Sequence, residues 1–545
     1  MNTGNLKSQW SPSTIASFDQ SSLWSLSDRI LSYESQATPF TPVFKESSNR
    51  PDLEELLRWV RHASPYYRNL YSKLPKCGNI PLCDYPVADL KSFWAVTNAQ
   101  TSQVLTMPHL DGIIFKTGGG STSYSRFLEE PRHSAINFAD SHEGTTGEPK
   151  IVFYTKQELQ IASQLLALGI HSAGLRTGDR IANLFHAGDL WGGFLLHVLS
   201  IMFIPTPAVH LPIGGFTPAP TTAAFLNDFS ATVMFAGVTT ITTTAEYLVS
   251  TNMICPTVRI IMFSGERFYY DQKSLIKKAF PNAVCRSLVY GSMDAGVIGQ
   301  TVSSGPDEED DGADHIHSAF EPFIHLEIVP PNSLMPTTEE NVPGKLLVTN
   351  LSRRLMPIVR YPSGDRGEWV DYKRRHFRLL GRDRRPVKFG MVSIDFTELR
   401  ECVGQAMDGF MIGGMQVIFS RRFDGKETMT LKIAYNLPNL GSLSGMDETI
   451  VRSDLPTLKA RVDSETGRIV FELDMDQARK DVIERIYEAK PRLRDLVRLE
   501  LVVGVKVEFV GMGDFWVNPR TGKIADIFDE RGLGGGDEVN NPFEM

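Results

Sequence analysis

Four short apolar runs in the middle of the chain each end in small residues. Their sequences are IANLFHAG from Ile181, ATVMFAG from Ala231, VRIIMFSGE from Val258 and RSLVYGS from Arg286. Helical patterns such as DQKSLIKKAF separate the runs, and this alternation is typical of buried parallel strands in an α/β sheet. The sequence therefore predicts a large α/β domain whose mixed or parallel sheets are flanked by helices.

The same runs predict where a ligand binds. Open α/β sheets bind ligands just beyond the carboxyl ends of their strands. A glycine stands at this end of each run: Gly188, Gly237, Gly265 and Gly291. A turn explains any single one of these glycines more simply, but their repetition at four strand ends favours a site where the backbone approaches a ligand closely.

The pattern changes after Gly381. The stretches TMTLKIAYN, RIVFELDM and VRLELVVGVKVEFV predict strands, and DQARKDVIERIY predicts a helix, so a small α+β domain follows. The charged stretch GRDRRP is typical of a linker, and residues 1–48 are polar and aperiodic, which favours a loosely ordered extension. We therefore expect a large domain over residues 49–381 and a small mobile domain over residues 382–545.

Charge and cysteine usage exclude several classes of protein. The net charge is -8 at pH 7, which argues against nucleic acid as a partner. The five cysteines form no CxxC pair, so a zinc site or a disulfide framework is not expected. Because the sequence has neither the pattern of a signal peptide nor an apolar stretch of membrane-spanning length, we expect a cytoplasmic protein without a membrane span.

A loop rich in glycine and threonine, GTTGEPK from Gly144 to Lys150, predicts a phosphate site. Glycines let backbone N–H groups converge on an anion, hydroxyls donate further hydrogen bonds, and lysine supplies charge. The loop is not a Walker A motif, because no Gly-Lys pair in the chain is followed by Ser or Thr. A strand from Ile151 to Tyr154 is predicted to follow it, and then a helix whose start has the capping-box spacing of Thr155 and Glu158.

The loop GTTGEPK resembles the phosphate loop of the adenylate-forming acyl-CoA synthetase superfamily. Six further stretches resemble motifs of that family, in its order: LFHAGDLWG (184–192), FSGE (263–266), YGSMD (290–294), RYPSGD (360–365), GRDRRPVKFG (381–390) and NPRTGKIADIFDER (518–531). RHASPYYRNLY from Arg61 is similar to the phenylacetate-CoA ligase-like branch. The resemblance spans roughly residues 51–531 and implies the adenylate-forming enzyme fold.

The resemblance implies a two-step reaction that uses ATP, Mg²⁺ and coenzyme A. A carboxylate attacks the α-phosphate of ATP to give an acyl-adenylate and pyrophosphate, and a thiol then displaces AMP. The implied catalytic residues are Lys523, Asp294 and His186. Lys523 would reach the α-phosphate and the carboxylate, Asp294 would help to hold Mg²⁺, and His186 would line the acyl pocket.

The resemblance also implies residues that bind the nucleotide. Asp365 would accept hydrogen bonds from the ribose hydroxyls, and Tyr290 and Gly291 would pack against adenine. Arg382 would contact ribose or phosphate near the hinge. The other implied nucleotide-binding residues lie in the phosphate loop and the adenine-side motifs: Thr117, Gly118, Gly119, Thr145, Thr146, Gly147, Lys150, Ser264, Gly265, Glu266 and Ser292.

Three interpretations of the function stay open. The first is a ligase that joins coenzyme A to an aromatic or otherwise compact carboxylic acid. The second keeps adenylation but transfers the acyl group to an amine or a separate carrier protein, and the third is a non-catalytic nucleotide- or acyl-binding protein. Met293-Asp294 stands where the family commonly has Thr-Glu, and this pair, together with an insert in the phosphate loop, motivates the third. At the hinge, Arg384 and Arg385 replace the usual acidic pair, which bears on the rotation of the small domain. The formation of a homodimer also stays open.

An insert separates the two halves of the phosphate loop. Without residues 121–144 the chain would read FKTGGGTTGEPK, a nearly unbroken family loop. The insert is either an unusual surface excursion or a translated intron. If the insert is a genuine part of the protein, the two halves of the loop can still meet, since closing a loop of this length costs only a few kcal/mol.

Sequencing the mature transcript tests these two origins. A message that retains the codons for residues 121–144 as its main form is expected for a surface excursion. A main form that lacks them would establish the intron and give a continuous loop.

Overall fold

A computed structural model of the chain describes residues 52–75, 80–94, 102–117, 150–302, 316–331, 333, 335–383, 387–407, 410–422, 424–436, 458–462, 469–518 and 521–531. The predicted N-terminal extension, the predicted insert and the hinge residues Arg384 and Arg385 lie outside these ranges. Within them, no helix combines the length and apolar character that crossing a membrane requires.

The α-helices of the described ranges surround the sheets. They are α1 (Leu53–Ala63), α2 (Pro65–Leu70), α3 (Leu90–Phe93), α4 (Lys156–Ser172), α5 (Gly193–Phe203), α6 (Ala219–Asp228), α7 (Val238–Ser250), α8 (Lys273–Ala279), α9 (Phe396–Ala406), α10 (Met475–Ala489) and α11 (Pro491–Arg498). The capping box predicted for α4 is confirmed, because Thr155 accepts from the Glu158 N–H and Glu158 accepts from the Thr155 N–H.

A hairpin and a parallel sheet lie in the first half of the fold. The hairpin strands are β1 (Ile113–Lys116) and β2 (Ile151–Tyr154). The parallel strands are β3 (Arg180–Asn183), β4 (Val209–Pro212), β5 (Val233–Ala236), β6 (Ile260–Phe263) and β7 (Val284–Ser287). Their order is β4-β3-β5-β6-β7 and every pair is parallel, so the predicted α/β sheet is confirmed.

The fourth apolar run, RSLVYGS, is predicted as one parallel strand, and this prediction is wrong for its second part. Its first part belongs to β7, but Leu288 ends the parallel pairing and the chain enters the antiparallel sheet as β8 (Val289–Ser292). Gly291 therefore lies inside β8 rather than at the end of a parallel strand. A Cβ there would approach the carbonyl oxygen of Gly296 to 2.6 Å, so the close contact with the next strand explains this glycine.

An antiparallel sheet of seven strands packs beside the parallel one. After β8 its strands are β9 (Gly296–Thr301), β10 (Ile316–Ala319), β11 (Ile324–Val329), β12 (Gly344–Asn350), β13 (Ile358–Asp371) and β14 (His376–Arg382). Their order is β11-β12-β13-β14-β10-β9-β8. The register places Asp365 opposite Arg382, two residues that the sequence assigned to the nucleotide.

The C-terminal part forms smaller sheets. Its strands are β15 (Val387–Phe389), β16 (Val392–Ile394), β17 (Met411–Arg421), β18 (Glu427–Asn436), β19 (Leu458–Val462), β20 (Ile469–Leu473), β21 (Val502–Val510) and β22 (Ile527–Asp529). The central sheet has the order β21-β18-β17-β22. The predicted strand VRLELVVGVKVEFV begins only at Val502, because Pro491 to Arg498 forms α11, a helix that the sequence analysis missed.

The buried apolar residues separate into distinct clusters. One cluster joins the N-terminal helices, α4 and the antiparallel sheet, and its last residue along the chain is Phe377. Another covers the parallel sheet with α7 and α8. The C-terminal cluster begins at Phe389 and is built on β17, β18 and α10. The domain boundary predicted after Gly381 stays a prediction, and it falls between the first and the last of these cores.

Polar contacts hold the C-terminal part against the parallel sheet. Arg400 of α9 binds the Asp271 carboxylate through Nε at 2.9 Å and a second nitrogen at 2.8 Å, and its guanidinium stacks over the Tyr269 ring. The side chain of Gln272 donates to the carbonyl of Gly413 at 3.0 Å. Because a bidentate arginine–carboxylate pair has a defined geometry, these contacts stabilise the orientation that the C-terminal part has in this structure.

A buried histidine makes the fold sensitive to acid. The His197 ring stacks on Phe185 with 3.9 Å between centroids, and its Nδ1 donates to the Gly193 carbonyl at 2.6 Å. Its Nε2 has no hydrogen-bond partner among the described residues. Burial lowers the pKa of His197 from its ordinary 6.5 to about 4. The unfolded chain therefore binds more protons than the folded one between these pH values.

We expect the free energy of unfolding to fall as the pH drops from 6.5 towards 4. One pKa unit is about 1.4 kcal/mol, so the contribution of His197 is on the order of 3 kcal/mol. The variant His197→Phe should flatten the pH dependence of the urea midpoint, whereas His62→Phe, at an exposed position, should leave it unchanged. Equal slopes for the wild type and His197→Phe would contradict this account.

Candidate active site

A tight turn near the C-terminus delivers Lys523 to the end of the parallel sheet. Gly522 N–H donates to the Asn518 carbonyl at 2.8 Å, and Asn518 N–H donates to the Lys523 carbonyl at 2.8 Å. The Lys523 ammonium donates to the carbonyl oxygen of Gly265 at 2.7 Å, although the two residues are 258 positions apart. It also lies 5.7 Å from the centre of the Trp191 ring. We call residues 521–524 the lysine loop.

The lysine loop fits closely against His186. A Cβ at Gly522 would lie 2.0 Å from Nε2 of this histidine, and a Cβ at Gly215 would lie 2.4 Å from Nδ1. Only glycine leaves room for the ring on both sides. Gly522 also has a φ of +64°, which favours glycine. Burial and the nearby Lys523 lower the pKa of His186 to about 4, so the ring is neutral at pH 7.

Lys523 lies in electrostatic range of a half-buried carboxylate, Glu266. Burial raises the pKa of Glu266, while Lys523 and hydrogen bonds from Thr239 oppose this rise. Burial lowers the pKa of Lys523, and Glu266 opposes the fall. The two groups therefore stabilise each other's charge. Glu266 is held in place by the N–H of Thr239, which donates to Oε2 at 3.0 Å, and by the Thr239 hydroxyl.

A second cluster lies where the middle of β13 pairs with the end of β14. The Tyr290 hydroxyl donates to Oδ2 of Asp365 at 2.8 Å, and Nε of Arg382 lies 3.3 Å from Oδ1 of the same carboxylate. Asp365 is thus held in a fixed position between a phenol and a guanidinium. Arg382 also lowers the pKa of Lys523, which places this cluster within electrostatic range of the lysine loop.

A third cluster surrounds Asp294. Its Oδ2 accepts from the Tyr361 hydroxyl at 2.6 Å and lies 3.9 Å from the Lys150 ammonium. The Lys150 ammonium lies 5.2 Å from the centre of the Trp94 ring, and the Trp94 indole N–H donates to the Tyr361 oxygen at 3.1 Å. Burial raises the pKa of Asp294, but Lys150 and hydrogen bonds outweigh it and the pKa is lowered. Asp294 is therefore ionised.

The two ends of the predicted phosphate loop meet. Thr117 N–H donates to the Lys150 carbonyl at 2.9 Å, and Lys150 N–H donates to the Thr117 hydroxyl at 3.0 Å. These bonds continue the β1–β2 hairpin and bring the flanks of the loop together, as predicted. The candidates between them lie outside the described residues: Gly118, Gly119, Thr145, Thr146 and Gly147.

The donor set fits a magnesium ion that travels with a nucleotide. Within the described part of the chain, no three potential metal-ligating side chains come close enough to hold an ion by themselves. Mg²⁺ needs only one or two protein carboxylates when phosphates and waters supply the remaining ligands. The ionised Asp294 could supply one, at a position beside Lys150.

The structure brings most of the predicted residues into these clusters. Ser264 donates to the carbonyl of Val289 at 3.4 Å, and the Ser292 hydroxyl accepts from the Ala295 N–H at 3.2 Å, so both brace the strand ends. The sequence patterns assigned no role to Thr239, Tyr361 and Trp94. Tyr361 and Trp94 support the Asp294 cluster, but only Tyr361 lies within a recognised motif, RYPSGD.

Sequence comparison finds relatives over part of the chain. No family model matches. A phenylacetate-coenzyme A ligase of Thermus thermophilus is 27% identical over 236 residues, which is 41% of this chain and 47% of that protein. A phenylacetate-coenzyme A ligase of Pseudomonas putida is 25% identical over 251 residues, or 44% of this chain and 52% of that protein. The chain therefore spans about half the length of the curated relatives it matches.

Structure comparison covers more of the chain. A crystal structure of 2-hydroxyisobutyryl-CoA ligase in the postadenylation state, in complex with R3-HIB-AMP, covers 88% of this chain and 88% of its own, with a TM-score of 0.57 and 15% identity. The chain therefore has the fold of an adenylate-forming enzyme, as predicted. In sequence it is similar to phenylacetate-CoA ligases, so the predicted resemblance to that branch is confirmed.

The fit between Gly522 and His186 predicts that Gly522→Ala releases the lysine loop. The added Cβ would overlap the His186 ring, and a positive φ costs about 1 kcal/mol outside glycine. Trypsin should then cleave after Lys523 faster than in the wild type. Gly513→Ala is the matched control, because a Cβ at Gly513 meets no atom within 4 Å. Unchanged cleavage in Gly522→Ala would refute the fit.

Proposed function

We propose that the protein is an ATP-dependent ligase that converts a carboxylic acid to an acyl-adenylate and then to a coenzyme A thioester. The observation that carries this proposal is the position of Lys523. Its ammonium reaches the strand-end carbonyl of Gly265 from the far end of the chain and lies in electrostatic range of Arg382. A positive charge thus lies in electrostatic range of the pair formed by Arg382 and Asp365, and this arrangement suits a nucleotide.

The nucleoside would bind at the β13–β14 cluster. Asp365 would accept hydrogen bonds from the two ribose hydroxyls, a task that needs a carboxylate in one orientation. The Tyr290 hydroxyl and the Arg382 guanidinium hold the Asp365 carboxylate in such an orientation. Gly291 and Ser292, which follow Tyr290 in β8, would border the adenine. Arg382 is half exposed, so its guanidinium can also turn towards ribose or phosphate.

The triphosphate would extend from Lys523 towards Lys150 and Asp294. Thr145, Thr146 and Gly147 would cradle the β- and γ-phosphates through hydroxyl and backbone donors. Mg²⁺, when bound through Asp294, would neutralise phosphate charge. Lys523 would bind both the α-phosphate and the attacking carboxylate, because an ammonium on a flexible stem can serve two oxygens at once. Positioning and charge compensation would account for most of the rate enhancement.

The acid would lie beside His186 and Trp191. The neutral His186 ring meets Phe216 edge-to-face, with 4.6 Å between centroids, and Trp191 lies against the Lys523 ammonium. Neutral aromatic walls next to one positive charge suit a compact or aromatic acid whose carboxylate faces Lys523. Similarity to phenylacetate-coenzyme A ligases supports an aryl acid and coenzyme A as the acceptor.

We propose that the chain has two working parts, a large domain over residues 49–381 and a small domain over 382–545 that moves between the two steps. Separate hydrophobic cores on either side of the boundary support this division. The lysine loop belongs to the small domain, so movement of that domain would withdraw Lys523 after adenylation. We place the protein in the cytoplasm, on the basis of its scattered cysteines.

A pyrophosphate-exchange assay over a panel of aryl and short-chain acids tests the proposal. We expect exchange that depends on one acid class and falls about 100-fold or more in Lys523→Ala, because the lost charge contacts the reacting groups. Lys506→Ala, which removes an exposed lysine of the same part of the chain, should keep wild-type exchange.

Adding coenzyme A then decides the acceptor. Thioester formation is the expected result. Exchange without a thioester would direct the search to an amine or a carrier protein, and nucleotide binding without exchange for any acid would contradict the proposal in favour of a non-catalytic binding protein.

A further inference from the structure

The first turn of α7 contacts the lysine loop through the Thr239 side chain. The N–H of Ile524, the residue after Lys523, donates to the Thr239 hydroxyl oxygen at 3.1 Å. The two residues are 285 positions apart, so this bond joins the parallel-sheet region to the C-terminal segment. No motif of the sequence includes Thr239.

The hydrogen-bond directions at Thr239 depend on Glu266. The Thr239 hydroxyl donates its proton to Oε1 of Glu266. The lone pairs of the hydroxyl oxygen then face the Ile524 N–H, which donates to it. One side-chain atom at this position must donate and accept at the same time, and among residues of this size the hydroxyls of Thr and Ser do so.

The start of α7 is built to hold the carboxylate. Glu266 Oε2 accepts from the Thr239 backbone N–H at 3.0 Å, at the positive end of the helix dipole. A Cβ at Gly237 would lie 2.5 Å from the same oxygen, so a glycine is needed for the carboxylate to approach. Glu266 in turn attracts the Lys523 ammonium. Thr239 and Glu266 therefore engage two consecutive residues of the lysine loop, one through a hydrogen bond and the other through charge.

We propose that Thr239 is a positioning residue for the adenylation step, and that it holds the lysine loop docked without touching the substrate. This inference rests on the proposed function. The bond exists only while the loop is docked, and Lys523 is needed at the α-phosphate only in the first step. Loss of the hydroxyl should therefore slow adenylation and spare the transfer of a preformed acyl-adenylate to coenzyme A.

The test compares Thr239→Val, Thr239→Ser and Thr243→Val in the two half-reactions. Valine keeps the shape of threonine but removes the hydroxyl, and serine restores it. Thr243→Val makes the same change one turn later in α7, where the hydroxyl donates to the Thr239 carbonyl at 2.8 Å. Adenylation is measured as phenylacetate-dependent pyrophosphate exchange, and transfer as thioester formation from synthetic phenylacetyl-adenylate and coenzyme A.

We expect exchange to fall about 10-fold in Thr239→Val, which corresponds to about 1.4 kcal/mol, while transfer stays within about twofold of the wild type. Thr239→Ser and Thr243→Val should retain most of the exchange. An equal loss in both half-reactions of Thr239→Val, or no loss in either, would overturn the inference.

A readout that needs no substrate separates this inference from the proposed function. Trypsin cleavage after Lys523 should be faster in Thr239→Val than in the wild type, Thr239→Ser or Thr243→Val. If the wild type gives no exchange with any acid, the ligase proposal fails while this comparison still tests the docking role. If exchange is normal in the wild type and cleavage is equal in all four proteins, the ligase proposal stands and the docking role of Thr239 is refuted.

Discussion

The hydrogen bond from the Lys523 ammonium to the Gly265 carbonyl is the contact on which the site depends. It joins a turn near the C-terminus to the end of a buried parallel strand, and it exists only because glycines at 215 and 522 leave room for His186 between them. The bidentate pair between Arg400 and Asp271 supports the same orientation of the C-terminal part from a separate position. The lysine loop thereby brings the Lys523 ammonium to the carboxyl ends of the parallel strands, where a ligand is expected to bind.

Charge compensation explains how so many ionisable groups are tolerated together. Each buried or half-buried charge in the site has a partner of opposite sign: Lys523 with Glu266, Arg382 with Asp365, and Lys150 with Asp294. A buried charge without such a partner would be costly. Each pair also contributes a cation, so an anionic ligand would meet positive charge that is already in place.

The sequence predicted the parts of this structure that local patterns determine. Apolar runs identified β3, β5 and β6, and the spacing of Thr155 and Glu158 identified the start of α4. The break at Leu288 was not predictable, because strand partners rather than the local pattern decide which sheet a strand joins. Thr239 was missed for a similar reason: its partner is 285 residues away, and a threonine at the start of a helix has no distinguishing local pattern.

The most direct measurement of the account is a crystal structure with ATP and Mg²⁺, or with an unreactive acyl-adenylate analogue. The account predicts that both ribose hydroxyls donate to Asp365 and that the Lys523 ammonium lies within hydrogen-bonding distance of an α-phosphate oxygen. A nucleotide bound away from Asp365, or a lysine loop that cannot reach its α-phosphate in any orientation of the C-terminal part, would contradict it.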